Sequence, residues 1–183
     1  LVLGLPGGVA FSIAICDLDS DGHQDILAGT GLPDLPLAVF FQECPGGFGA
    51  APVLLGVYPI AVGDMDGDGD QDLVTSGADH TIRVTFQGPV RGFDAPPFVM
   101  GGLPVTFQVR DVAVGDLDAD GDQDIIAVQQ GGLSPAGLAA PGLVAFFQGS
   151  PGAFGPGRQL VDAGTTSGTF FYVETTDLDG DGE

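Results

Sequence analysis

Short apolar runs separated by polar punctuation set the pattern of this chain, and the runs come in recurring sets. Phe11-Ser12-Ile13-Ala14-Ile15, Ile60-Ala61-Val62 and Val112-Ala113-Val114 each lead, one residue later, into a run of aspartates. Ile26-Leu27-Ala28, Leu73-Val74-Thr75 and Ile125-Ile126-Ala127-Val128 leave those runs. Stretches this short, rich in β-branched residues and bounded by glycine, predict buried strands. A third set lies at 37–42, 81–87 and 143–148, each ending in Phe-Gln, after linkers at 30–36, 77–80 and 129–141. A Pro/Gly turn follows, carrying Phe48-Gly49, Phe93-Asp94 or Phe154-Gly155, and then a fourth strand at 52–56, 97–101 or 158–161.

The loop between the first and second strands carries the chemistry. It reads DLDSDGHQD at 17–25, DMDGDGDQD at 64–72 and DLDADGDQD at 116–124, and it begins again as DLDGDGE at 177–183. The shared pattern is D-x-D-x-D-G-x-x-D, numbered here from position 1 to position 9. Position 1 is Asp17, Asp64, Asp116 or Asp177, position 3 is Asp19, Asp66, Asp118 or Asp179, and position 5 is Asp21, Asp68, Asp120 or Asp181. Carboxylates at these three positions of a tight loop can converge on one centre. Calcium takes six to eight oxygens at about 2.3–2.6 Å. Position 6 is glycine every time, as a sharp turn requires. Position 7 varies (His23, Asp70, Asp122, Glu183), as expected if its backbone carbonyl is the ligand. Position 9, Asp25, Asp72 or Asp124, would close the shell. The expectation is three complete calcium sites and a fourth partial one. Sodium could also enter such a loop; magnesium dehydrates reluctantly and wants a strict octahedron. An EF-hand would need glutamate at position 12 and flanking helices, but that position holds Ala28, Thr75 or Ala127.

Composition narrows the partners. Of 25 acidic residues, 18 lie in the four loops, against only four basic residues, Arg83, Arg91, Arg110 and Arg158, so the formal charge is −21. Four divalent ions would bring it to −13. Nucleic acid is disfavoured as a partner, because phosphate binding needs a basic footprint. No apolar run approaches the roughly 20 residues of a membrane span. Outside the loops charge is sparse, which fits either a low-charge secreted protein or a surface covered by further repeats or neighbouring subunits. Cys16 and Cys44 could form a disulfide in an oxidising compartment or remain free thiols. His23 and His80 have no nucleophile partner in sequence, and the cluster at 165–169 reads as a loop that could carry O-linked sugar.

Loops starting at 17, 64, 116 and 177 mark an internal repeat of 47 to 61 residues. Four antiparallel strands per repeat of that length are the grammar of a propeller blade. In the acidic loops and in the Phe-Gly-Ala-Ala-Pro turn at 48–52, the chain resembles the FG-GAP/VCBS repeats, the blades of integrin α-subunit propellers and of many bacterial surface proteins. The resemblance implies an all-β, β-propeller-type fold with calcium held by the loop side chains. The expected layout is one repeat module: 1–8 as the outer strand of a preceding blade, complete blades at 9–56, 57–102 and 103–161, and the start of another at 162–183. Residue 1 is Leu, which fits a processed chain or a piece of a longer one. Unfinished blades at both ends would be satisfied by neighbouring repeats or by copies of itself packed head to tail.

The function expected is a non-enzymatic, extracellular, calcium-stabilised scaffold for adhesion or for a fibrous surface assembly. Two alternatives stand beside it: the propeller portion of a larger secreted enzyme, and a ligand-binding propeller recognising protein or glycan.

Overall fold

A computed structural model describes residues 12–32, 35–44, 46–49, 53–55, 58–76, 81–88, 92–93, 96–100, 108–130, 133–134, 137–138, 142–162 and 172–176. The expected strand at 1–8, the cluster at 165–169 and the fourth acidic loop lie outside them. Every described element is a β-strand. The first repeat holds β1 (Ser12–Cys16), β2 (Asp25–Leu32), β3 (Leu35–Phe40), β4 (Gln42–Cys44), β5 (Gly47–Phe48) and β6 (Val53–Leu55). The second holds β7 (Tyr58–Gly63), β8 (Asp72–Ser76), β9 (Ile82–Thr85) and β10 (Phe98–Met100). The third holds β11 (Gln108–Gly115), β12 (Asp124–Gln130), β13 (Leu133–Ser134), β14 (Gly137–Leu138), β15 (Gly142–Phe146), β16 (Gln148–Ser150), β17 (Ala153–Phe154) and β18 (Arg158–Asp162).

Each repeat folds into one four-stranded antiparallel meander, in the orders β1-β2-β3-β6, β7-β8-β9-β10 and β11-β12-β15-β18. The fold is all-β and propeller-type, with no closed ring among the described residues. Three small hairpins, β4-β5, β13-β14 and β16-β17, decorate the meanders. The hairpin β13-β14 falls within 129–141, where the sequence predicts only a linker. The third strands also stop before the predicted Phe-Gln, at Phe40, Thr85 and Phe146.

Alternation of side chains explains why the repeats stack. In β9 the pattern is strictly alternating, with Ile82 and Val84 buried. Strand β8 is buried at every position, because it lies mid-sheet with a blade on each side. Apolar residues on one face of a meander need a neighbour to cover them, and the next repeat supplies it. Thus Leu18, Leu27, Leu37 and Val39 of the first blade share a core with Leu73, Val62 and Phe93 of the second. A larger core joins Ala61, Met65, Val74, Ile82 and Val84 of the second blade to Val112, Ile125, Ala127, Val144 and Phe146 of the third. First strands lie side by side, β1 against β7 and β7 against β11. Residues 172–176, which form no strand, lie beside β11: Val173 N donates to Asp111 Oδ2 (2.8 Å), and Thr175 Oγ1 donates to the Val114 carbonyl.

Candidate metal centre

The three complete acidic loops leave the first strand of each blade and return into the second. Positions 1, 3 and 9 converge in all of them. Ligand-capable atoms of Asp17, Asp19 and Asp25 lie within 4.8 Å of one another, as do those of Asp64, Asp66 and Asp72 and those of Asp116, Asp118 and Asp124. The same positions meet three times, in three blades, because the backbone of each loop follows the same path.

That path rests on two left-handed residues. Glycine at position 6 has φ of +87°, +95° and +93° in Gly22, Gly69 and Gly121, a region that side chains penalise. Position 4 is left-handed too, at φ +57° in Ser20, +77° in Gly67 and +61° in Ala119. Two of these three are not glycine, so the loop holds them there against a local cost. The carboxylates themselves enforce the turn. Position 1 accepts the position 6 N–H in every loop, at 2.9, 3.0 and 2.9 Å. Position 5 carboxylates, Asp21, Asp68 and Asp120, accept the N–H two residues on, from His23, Asp70 and Asp122, at 2.9, 2.9 and 3.0 Å. This Asx-turn geometry is what aspartate offers a tight loop. His23 also places Nδ1 2.9 Å from Asp21 Oδ1.

Position 9 differs from the rest. Asp25, Asp72 and Asp124 are fully buried. One oxygen of each accepts the position 2 N–H, from Leu18 (2.9 Å), Met65 (2.7 Å) and Leu117 (2.9 Å). The other accepts the N–H of the glutamine that follows the third strand, from Gln42 (2.8 Å), Gln87 (2.7 Å) and Gln148 (2.8 Å). One carboxylate therefore straps the loop to the second and third strands. The bond takes the glutamine N–H at the point where each third strand ends, and Gln42 and Gln148 go on to open the hairpin strands β4 and β16. Sequence reasoning passed over these glutamines, although their recurrence after phenylalanine was visible.

Electrostatics follow from crowding. Burial pushes the Asp72 carboxyl up to about 6, and the charges of Asp66 and Asp68 add to it against the two backbone N–H bonds. Asp66 is raised by desolvation and then by Asp68. Asp118 is raised by desolvation and then by repulsion from Asp120, Asp124 and Asp116. Next to the first loop, Cys16 is a free thiol, pushed up to about 11 by burial and by Asp25 and Asp17, so it stays protonated. The side chain of its sequence companion, Cys44, lies outside the described residues.

A succession of four-stranded antiparallel blades, each with a carboxylate-lined loop between its first two strands, defines a propeller-type repeat protein. Residues 64–127 match the family model of the FG-GAP-like repeat. That stretch runs from the second acidic loop through the third into β12, so the chain carries an FG-GAP-like repeat. No curated protein matches the chain. No solved structure matches it either.

Proposed function

We propose that the chain is a calcium-stabilised extracellular repeat module, a non-enzymatic scaffold for adhesion or surface assembly whose blades pack against further repeats. The observation that carries this reading is the threefold recurrence of one oxygen-only triad, Asp17/Asp19/Asp25, Asp64/Asp66/Asp72 and Asp116/Asp118/Asp124.

The donor set fits a hard cation. Three carboxylates gathered within 4.8 Å repel one another, and none of these loops contains lysine or arginine to offset them. Carboxylate oxygens suit calcium, magnesium or manganese rather than zinc or copper, and a loop that supplies many oxygens flexibly favours calcium. A bound ion would supply the opposite charge that makes three ionised carboxylates compatible with a folded loop. Positions 1, 3 and 9 would hold it, with position 5 and the position 7 carbonyl available to complete the shell. Millimolar extracellular calcium at micromolar affinity would stabilise the fold by about 4 kcal/mol per site.

Thermal unfolding in excess chelator and in millimolar calcium is the direct test. The expected result is a melting temperature higher by many degrees in calcium. Coincident curves would remove metal from the reading and leave only an acidic repeat protein.

A further inference from the structure

Position 2 of each loop lies between two of the converging carboxylates, and in the second loop every part of it is committed. The N–H of Met65 donates to Asp72, its side chain is fully buried in the core shared with the third blade, and its carbonyl accepts the N–H of Gly152 at 3.1 Å. Gly152 belongs to the β16-β17 turn of the following blade. That turn sits directly on the loop: a Cβ at Gly152 would lie 3.8 Å from the Asp66 Cβ and 3.6 Å from Phe86, and a Cβ at Gly67 would lie 3.5 Å from Pro151. The first loop repeats the N–H bond and the burial. Leu18 donates to Asp25 and is fully buried with Leu73 of the second blade, and Ser20 Oγ reaches Asp70 Oδ1 of the next loop at 3.5 Å. Leu117, in the third loop, keeps the bond to Asp124, but 36% of it is exposed.

Building on the calcium reading above, we propose that the first two acidic loops are latches between blades. The next blade grips position 2 and so presets the spacing of positions 1 and 3, and an ion in the loop in turn fixes the seat of the next blade. Leu18 and Met65 are the positioning residues of this device. The physical basis is preorganisation. With N–H, side chain and carbonyl all held, the dihedrals between Asp64 and Asp66 are set before metal arrives, and the ordering cost of binding falls. Coupling of this kind is reciprocal: if seating the blade raises metal affinity, metal tightens the seat by the same factor. A side chain that merely fills the core would lower the melting temperature on truncation but leave affinity in the folded protein unchanged.

Wild type, Met65→Ala, Met65→Leu and Leu117→Ala are titrated with calcium chloride at a temperature where circular dichroism shows all four folded. The amide signals of Gly69 and Gly121 report the second and third sites separately. The latch predicts about tenfold weaker calcium binding at the second site in Met65→Ala, restored in Met65→Leu, with the third site of Leu117→Ala changed by less than about twofold. An unchanged Gly69 midpoint in a folded Met65→Ala overturns the latch while leaving calcium binding intact. Wild-type glycine signals that ignore calcium overturn the calcium reading and the latch with it. Should Met65→Ala fail to fold, hydrogen exchange at the Gly152 amide of the wild type decides. Calcium must slow it, and exchange that is indifferent to calcium overturns the proposal.

Discussion

Asp124 and Asp118 belong to the same triad, yet their removal should have opposite consequences once metal is absent. Asp124 is fully buried and accepts two backbone N–H groups, from Leu117 at 2.9 Å and Gln148 at 2.8 Å. Alanine leaves both donors without an acceptor. An orphaned buried donor costs about 1–3 kcal/mol; with the Leu117 amide only partly buried, the pair comes to roughly 2–4 kcal/mol. That is a large share of the roughly 5–15 kcal/mol by which a domain is stable. For a chain of this size it corresponds to a melting temperature lower by about 5–15 °C. Asp118 is exposed and crowded by Asp120, Asp124 and Asp116. Replacing it with alanine relieves repulsion and should leave the chelated protein as stable as wild type or slightly more so. In calcium the ranking changes, because Asp118→Ala then loses the metal-dependent increment of its site. Asp124→Asn keeps one acceptor oxygen and should fall between Asp124→Ala and wild type in chelator. Melting followed by circular dichroism, with and without chelator, separates these cases. If Asp124→Ala melts with wild type in chelator, or if Asp118→Ala falls as far without metal, the strap assigned to position 9 is wrong.

Three further outcomes are expected. The Asp72 carboxyl is raised to about 6 in the folded protein, so the proton binds the folded state more tightly than the unfolded one. In chelator its contribution is therefore full below about pH 4, is lost as pH rises through about 6, and amounts to at most about 3 kcal/mol. Asp66 and Asp118 push the same way. A melting temperature that rises with pH over this range in chelator would contradict this sign. Ala119→Gly relieves a left-handed alanine at φ +61° and should stabilise by up to about 1 kcal/mol, whereas Gly121→Ala at φ +93° should destabilise by about 1–2 kcal/mol. Urea titration reads both. Gly157→Ala would place a Cβ 2.8 Å from the Phe146 ring and 3.0 Å from Val144, and should cost about 1–3 kcal/mol by overpacking, read from the same titration midpoints.

Fold class was legible in the order of residues because strand and turn chemistry are local. Apolar runs such as Leu73-Val74-Thr75 declare strands, and repeated glycine at position 6 declares the turn, whatever the rest of the chain does. Burial is not declared the same way, since Ile13 and Ile15 of the run predicted as a buried strand at 11–15 are 66% and 64% exposed. The aspartate spacing predicted carboxylates converging from positions 1, 3 and 5 with position 9 closing the shell, whereas the triads that meet within 4.8 Å are positions 1, 3 and 9. Long-range geometry alone decided the rest. The bond from position 9 to the glutamine spans 17, 15 and 24 residues in the three blades, so no fixed spacing marks the partner. Leu18 and Leu117 occupy the same position of the same motif, yet one is fully buried and the other is one-third exposed. Burial depends on what packs against a side chain, and in a stacked repeat that is supplied by the following blade.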